Sequence, residues 1–286
     1  MNRGRWCFVL MMCVMMGPGM SSMTAQDIRL LVRGDDIGSS HAANLACIKS
    51  HQEGIMQSVE LMAPGPWFPE SVRLLNENPG LDVGIHLTLT SEWENVKWRP
   101  VSCVPSLVDA DGYFFPMVWQ SANFPANSSI QKSNWKIEEV EKEMRAQIEM
   151  ALRHVPRISH IGCHMGCSGL DPAIAAVEKK LAREFDLDVD LAGVKPFRAW
   201  GKTRDFSERE KQFVQNLETL QPGTYLFVDH PGLEDPEMQA IGHKGYEDVA
   251  LDRDGVTRVF TSPMVKAAIQ RKGIKLISYK DLKEGK

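Results

Sequence analysis

Two adjacent carboxylates, Asp35 and Asp36, follow the apolar run Ile28 to Val32 (IRLLV) in the stretch RGDDIGSS. Gly34 and Gly38 flank them and loosen the backbone, as a tight strand-to-loop turn needs. Successive residues of an extended chain point opposite ways. That alternation predicts two separate jobs, one carboxylate binding something while its neighbour acts a few ångströms off. The plain structural alternative is an acidic turn that caps the next helix, since Asp and Ser are common N-caps. Further along, His86, then His160 or His164, and then His230 fall where other strands are expected to end. Functional residues of parallel sheets gather at such carboxyl ends. Two or three imidazoles with one carboxylate suit a divalent first-row ion, and three protein ligands leave a position open for chemistry. Such an ion lowers the pKa of water and polarises a carbonyl. A spare carboxylate can then take a proton and a histidine can give one to a leaving amine. Taken singly, a histidine such as His86 is more often a satisfied core or surface residue than a ligand. His41, His51, His154 and His243 are assigned to that class.

The elements that must position these residues read as parallel β/α units. After the double Asp, a helical pattern covers His41 to Glu53 and Gly54 closes it. Ser58 to Met62 (SVELM) reads as a strand, broken by Pro64, Gly65 and Pro66. Glu70 to Asn78 reads as an amphipathic helix, and Leu81 to Leu89 (LDVGIHLTL) as a strand holding His86. This rhythm predicts a parallel sheet. Residues 91–135 break it. Their many aromatic residues among Gly, Pro, Asn and Ser suggest an inserted lid whose rings suit the apolar faces of sugars, or rings that merely pack the insertion down. Lys136 to His154 reads as a charged amphipathic helix, Arg157 to Gly162 as a short strand and Asp171 to Phe185 as a helix. Thr224 to Asp229 is a strand before His230, Ser262 to Lys272 a helix and Gly273 to Ser278 the last strand.

Residues 1–25 have the layout of a secretory signal: Arg3 and Arg5, the apolar run Trp6 to Met16, then small and polar residues to Ala25. This predicts a secreted or periplasmic bacterial protein, cleaved near Ala25, with residues 26–286 forming one domain. No later apolar run is long enough to cross a membrane, so no stable membrane insertion is expected after cleavage. The formal net charge of −4 and the lack of a basic patch give no support to a nucleic-acid partner. The four remaining cysteines, Cys47, Cys103, Cys163 and Cys167, are irregularly spaced, and one bridge in an oxidising compartment is left open.

The order of motifs is specific as a set. DDIG follows the first strand, then come GIMQSVELM, NPGLDVGIHLTLT, SHIGCHMG, a late His-Pro-Gly and the terminal GIKLISYKDL. This order resembles the YdjC-type carbohydrate deacetylases, the ChbG/HpnK family, from about Ile28 to the C-terminus. The resemblance implies a TIM-like (β/α) barrel, irregular or incomplete, and a metal-dependent hydrolase that removes acetyl groups from N-acetylated amino sugars. Carried over by position, it implies Asp36, His86 and His164 as metal ligands, Asp35 as general base and His230 as general acid. It implies one divalent ion, Zn²⁺ or Mg²⁺ first, with Co²⁺ or Ni²⁺ next, and an N-acetylated carbohydrate partner. A homodimer is left open. The chain departs from the family where a His-Leu-Asp-Ser-His-Gln-His run is usual: Gly162 stands for the Asp, and Gly166 for the histidine after the second ligand. His160 competes with His164 as a ligand and is assigned a supporting place, and a structural zinc on His160, Cys163, His164 and Cys167 is the minor rival. Two other functions are carried alongside: an O-acetyl sugar esterase, and a non-catalytic carbohydrate-binding protein on the same scaffold.

Overall fold

The structure is a computed structural model that describes Met1 and residues 27–285. Apart from Met1, the expected export signal lies outside the described residues. The chain runs β1 (Ile28–Ile37), α1 (His41–Gln52), β2 (Ser58–Leu61), α2 (Phe68–Glu77), β3 (Asp82–Leu87), α3 (Ile137–His154), β4 (His160–Cys163) and α4 (Pro172–Glu184). It continues through β5 (Val194–Pro196), α5 (Phe206–Thr219), β6 (Gly223–Asp229), α6 (Pro236–Gln239), α7 (Val249–Thr261), α8 (Pro263–Lys272), β7 (Lys275–Ile277) and α9 (Tyr279–Lys283).

All strand pairs are parallel, in the order β4-β3-β2-β1-β6-β5. β1 is central. β6 follows it from Ile28 to Gly34, while β7 pairs at Arg29–Leu31 and β2 takes over from Arg33. Leu30, Leu31 and Val32 of β1 are completely buried. Full burial of such side chains contributes roughly 1.5–3 kcal/mol each, which explains why this apolar run forms the middle of the sheet. The expected TIM-like barrel is realised as a half-barrel that does not close. Among the described residues its edges are β4 and β5. β5 is three residues long and ends in Pro196, which has no amide hydrogen for a further strand.

The expected lid at 91–135 is largely built into the body. Trp93, Trp98 and Phe114 are buried, and the Trp98 indole donates to the Thr90 carbonyl at 2.6 Å. Trp119 is the ring that stays exposed. Among the described residues the four cysteines are free thiols, and no helix is long and apolar enough to cross a membrane.

Candidate metal centre

The double Asp does not sit in a turn after β1, as the apolar run alone suggests. β1 continues through it to Ile37. The register with β2 slips between Gly34 and Ile37, so one extra residue is accommodated at the two carboxylates. Asp36 takes a φ of 71°, a left-handed conformation that Asp tolerates better than most side chains. This overturns the expectation of opposite directions. The bulge brings both Asp35 and Asp36 to His86 Nε2, at 3.9 and 3.4 Å. The helix-capping alternative falls to Ser40, whose hydroxyl accepts from Ala43 N at 3.0 Å and leaves both carboxylates free of that task.

His86 on β3 and His164 just after β4 meet Asp36 at the carboxyl end of the sheet. Asp36 Oδ1 lies 3.2 Å from His164 Nδ1 and 3.4 Å from His86 Nε2, and the two nitrogens are 3.3 Å apart. All three residues are buried. Each imidazole turns its other nitrogen to a carboxylate. His86 Nδ1 donates to Glu60 Oε2, and His164 Nε2 donates to Glu92 Oε2 at 3.0 Å. A carboxylate can only accept, so each outer nitrogen carries the hydrogen and each inner one presents a lone pair in the neutral ring. Two lone pairs and a carboxylate oxygen therefore face one another in a buried space. Asp36 Oδ1 finds no hydrogen-bond donor there. Such an arrangement repels itself unless positive charge sits at its centre.

The charge count agrees. Four buried carboxylates, Asp35, Asp36, Glu60 and Glu92, face the guanidiniums of Arg33 and Arg253. With His86 and His164 neutral, these carboxylates outnumber the two guanidiniums, so the pocket favours a cation. Without an ion the surrounding carboxylates favour the protonated rings. Burial by itself would lower the His86 pKa, but Asp35 and Glu60 push it up to about 9. Burial likewise opposes charge on His164, and Glu92 with Asp36 outweighs it and raises its pKa well above the usual value. Burial disfavours the Asp36 carboxylate, yet Arg253 and His164 hold its pKa well below the usual range. The donor set of two nitrogens and one oxygen fits a divalent first-row ion.

Asp35 is held differently. Arg33 Nε donates to its Oδ1 at 2.7 Å and Arg33 Nη2 to its Oδ2 at 2.9 Å. Burial would raise its pKa, but Arg33 and His86 lower it. His230 follows β6 and is the most exposed of the expected site residues, with 40% of its side chain open to solvent. Its Nε2 lies 4.0 Å from Asp36 Oδ2, and Nδ1 lies 3.5 Å from Asp229. Burial works against its charged form, but Asp36 and a bond to Asp229 raise its pKa.

The structure thus brings Asp35, Asp36, His86, His164 and His230 to one place and keeps His160 apart. His160 stacks on Tyr279 at 3.8 Å and lies beside Ser159 Oγ at 2.8 Å. Burial, with the neighbouring positive Arg33, drives its pKa well below the usual value, so it is a neutral packing residue. Among the described residues the rival set of His160, Cys163, His164 and Cys167 is not gathered as a metal site. Glu60, Glu92, Arg33 and Arg253 also face the centre and lie outside the expected site residues. Arg253 Nη2 donates to Asp36 Oδ2 at 2.7 Å from 217 residues away, which no local pattern encodes. Glu60 did carry a signal, being a lone acid inside the apolar strand SVEL.

Fold and site together define a class: an α/β half-barrel carrying a two-histidine, one-aspartate donor set at the carboxyl ends of its strands. The profile of the family described as YdjC-like protein matches residues 29–271, and the chain belongs to that family. Carbohydrate deacetylase 1 of Listeria innocua is 28% identical over 264 residues, covering 89% of this chain and 100% of the relative. A carbohydrate deacetylase of Enterococcus faecalis is 27% identical over 282 residues, covering 89% and 98%. A solved structure from Enterococcus faecalis, described as a cellobiose-phosphate cleavage protein, shares the fold at a TM-score of 0.71 and 24% identity, covering 90% of this chain and 99% of that one.

Proposed function

We propose that this chain is a metal-dependent deacetylase that hydrolyses the acetamide of N-acetylated amino sugars, exported through the signal at residues 1–25. The curated relatives are named carbohydrate deacetylases. The observation that carries the metal reading is Asp36 Oδ1, buried without a donor and faced by two imidazole nitrogens. Asp36, His86 and His164 would hold the ion. When bound, a divalent ion would lower the pKa of water to about 7 and polarise the acetamide carbonyl.

The remaining work falls to side chains. Asp35 accepts a proton as water adds to the acetamide carbon. Arg33 keeps Asp35 ionised and fixed, so the carboxylate receives hydrogen bonds and gives none. His230 lies at the solvent side, where Asp36 and Asp229 favour its protonated form. It delivers that proton to the nitrogen as the C–N bond breaks, and acetate and a free amine leave. Proton transfers of this kind contribute typically about 10²–10⁴-fold each. Trp119, exposed on the 91–135 segment, lies against Gly166 and Gly169 just past His164, and offers a flat face to a sugar ring.

The test is acetate release from a panel of N-acetyl and O-acetyl sugars, with metal-stripped protein and after adding Zn²⁺, Co²⁺, Ni²⁺ or Mg²⁺. Acetate from N-acetyl sugars that depends on the ion supports the proposal and ranks the ions. Release from O-acetyl sugars alone replaces it with an esterase. No acetate from folded, metal-loaded protein overturns it in favour of non-catalytic sugar binding.

A further inference from the structure

Two glycines cut notches in the inward face of the sheet. Gly84 on β3 pairs with Glu60 on one side and His160 on the other. A Cβ there would overlap the His160 ring, so the glycine admits that imidazole. Gly162 on β4 pairs with His86. A Cβ at Gly162 would fall on the Glu60 carboxylate, overlapping both oxygens. Glu60 therefore reaches diagonally from β2, across β3 and past His86, into space that exists only because residue 162 has no side chain.

This space decides what Glu60 can do. In a parallel sheet, paired residues share a face. Glu60 is level with Gly84, two residues short of His86, so only a long side chain reaches His86 Nδ1 from that place. Residue 162 is level with His86 itself, so a carboxylate rooted there needs a shorter arm. The departure at Gly162 and the acid in the SVEL strand are thus two halves of one arrangement. Glu60 is completely buried, with Arg33 Nη1 2.8 Å from its Oε1. That guanidinium offsets its charge and leaves Oε2 to His86.

We propose that Glu60 is the positioning residue that sets His86 as a metal ligand, and that Gly162 is the notch that permits it. Glu60 holds the hydrogen on Nδ1 and turns the Nε2 lone pair toward Asp36 and His164. The inference rests on the metal-centre reading and assigns Glu60 no contact with substrate.

The test is Zn²⁺ affinity of the full mature chain by competition with a chelator, alongside the visible spectrum of the Co²⁺-loaded protein. Folding is checked separately by circular dichroism. Glu60→Ala is expected to weaken Zn²⁺ binding by about 10–100-fold, the usual effect of removing a ligand's orienting partner. Glu60→Gln keeps the shape and an acceptor oxygen and is expected to lie between parent and Ala. Gly162→Ala leaves the Glu60 charge in the protein but displaces it, and is expected to weaken binding as well. The double variant Glu60→Ala/Gly162→Asp, which moves the carboxylate from β2 to β4, is expected to recover most of the loss and the parent-like Co²⁺ spectrum. A merely structural Glu60 would not be rescued in this way. Unchanged affinity in a folded Glu60→Ala or Glu60→Gln protein overturns the inference alone, whereas a parent protein that takes up neither ion overturns the metal-centre reading with it.

Discussion

Asp82 and Asp36 are both buried aspartates on the same parallel sheet, at its opposite ends. Asp82 opens β3. It accepts from Ser58 Oγ at 2.8 Å, Ser159 Oγ at 2.6 Å and the Tyr279 amide at 3.1 Å, and so joins β2, the approach to β4 and the start of α9. Both its oxygens are engaged. Asp36, in the bulge near the end of β1, gives one oxygen to Arg253 and keeps the other without a donor. An ionised carboxylate has room for about four hydrogen bonds. Where the protein uses that capacity, the residue is structural. Where the protein buries the group and leaves a lone pair facing two imidazoles, it holds capacity for something it does not itself contain.

Substitutions should separate the two ends. Asp36→Asn is expected to weaken Zn²⁺ binding beyond the roughly 100-fold that orienting partners are worth, because it removes a ligand charge, while a chelator-treated sample keeps its circular dichroism. Asp35→Asn should keep the metal and lower kcat by about 10²–10⁴-fold; full activity in that variant would remove Asp35 as the base. Asp82→Asn is expected to do the reverse. It should cost roughly 3 kcal/mol in denaturant unfolding, because a charge-assisted acceptor is lost and an amide donor faces other donors. Its Zn²⁺ affinity should match the parent. A metal defect in Asp82→Asn at full stability would erase the distinction between the ends.

The two ends also differ in how they can be read. The strands β1 to β3 are visible as apolar runs between Gly and Pro breaks, because burial on both faces leaves few polar positions. His86 and His164 are visible as polar residues at their ends. β5 is not, since a three-residue edge strand with two exposed residues has no pattern to detect. α5 and α7 are not among the expected elements, although Phe213, Leu217, Val256 and Phe260 all bury against the body. The bulge at Asp35–Asp36 is set by register with β2 and by the left-handed Asp36, neither of which is a local property. The partners of the site, Arg253 and Glu92, are fixed by tertiary packing, and the full contents of the centre became readable only with the fold.

The smallest effect expected is a dependence on pH confined to the Asp36 end. In the metal-free protein His86 has its pKa raised to about 9, against about 6.5 in an unfolded chain. A raised histidine stabilises the fold fully below the unfolded value and loses that contribution as pH rises through the folded one. Metal-free protein should therefore become less stable between about pH 6.5 and 9. Metal binding needs the same ring neutral, so ion uptake must release its proton, and affinity should rise with pH over this window by up to about tenfold per unit for each proton released. Thermal melts and chelator competition across this range should give slopes of opposite sign. Asp82→Asn should keep both slopes, because Asp82 is not among the groups that raise His86 and its own histidine neighbour, His160 at 3.7 Å, is the ring that burial holds neutral. Glu60→Ala should flatten both, because it removes one of the three carboxylates, Asp35, Glu60 and Asp36, that raise His86. Equal slopes in the parent and in Glu60→Ala would mean that the charge on His86 is set by Asp35 and Asp36 without Glu60.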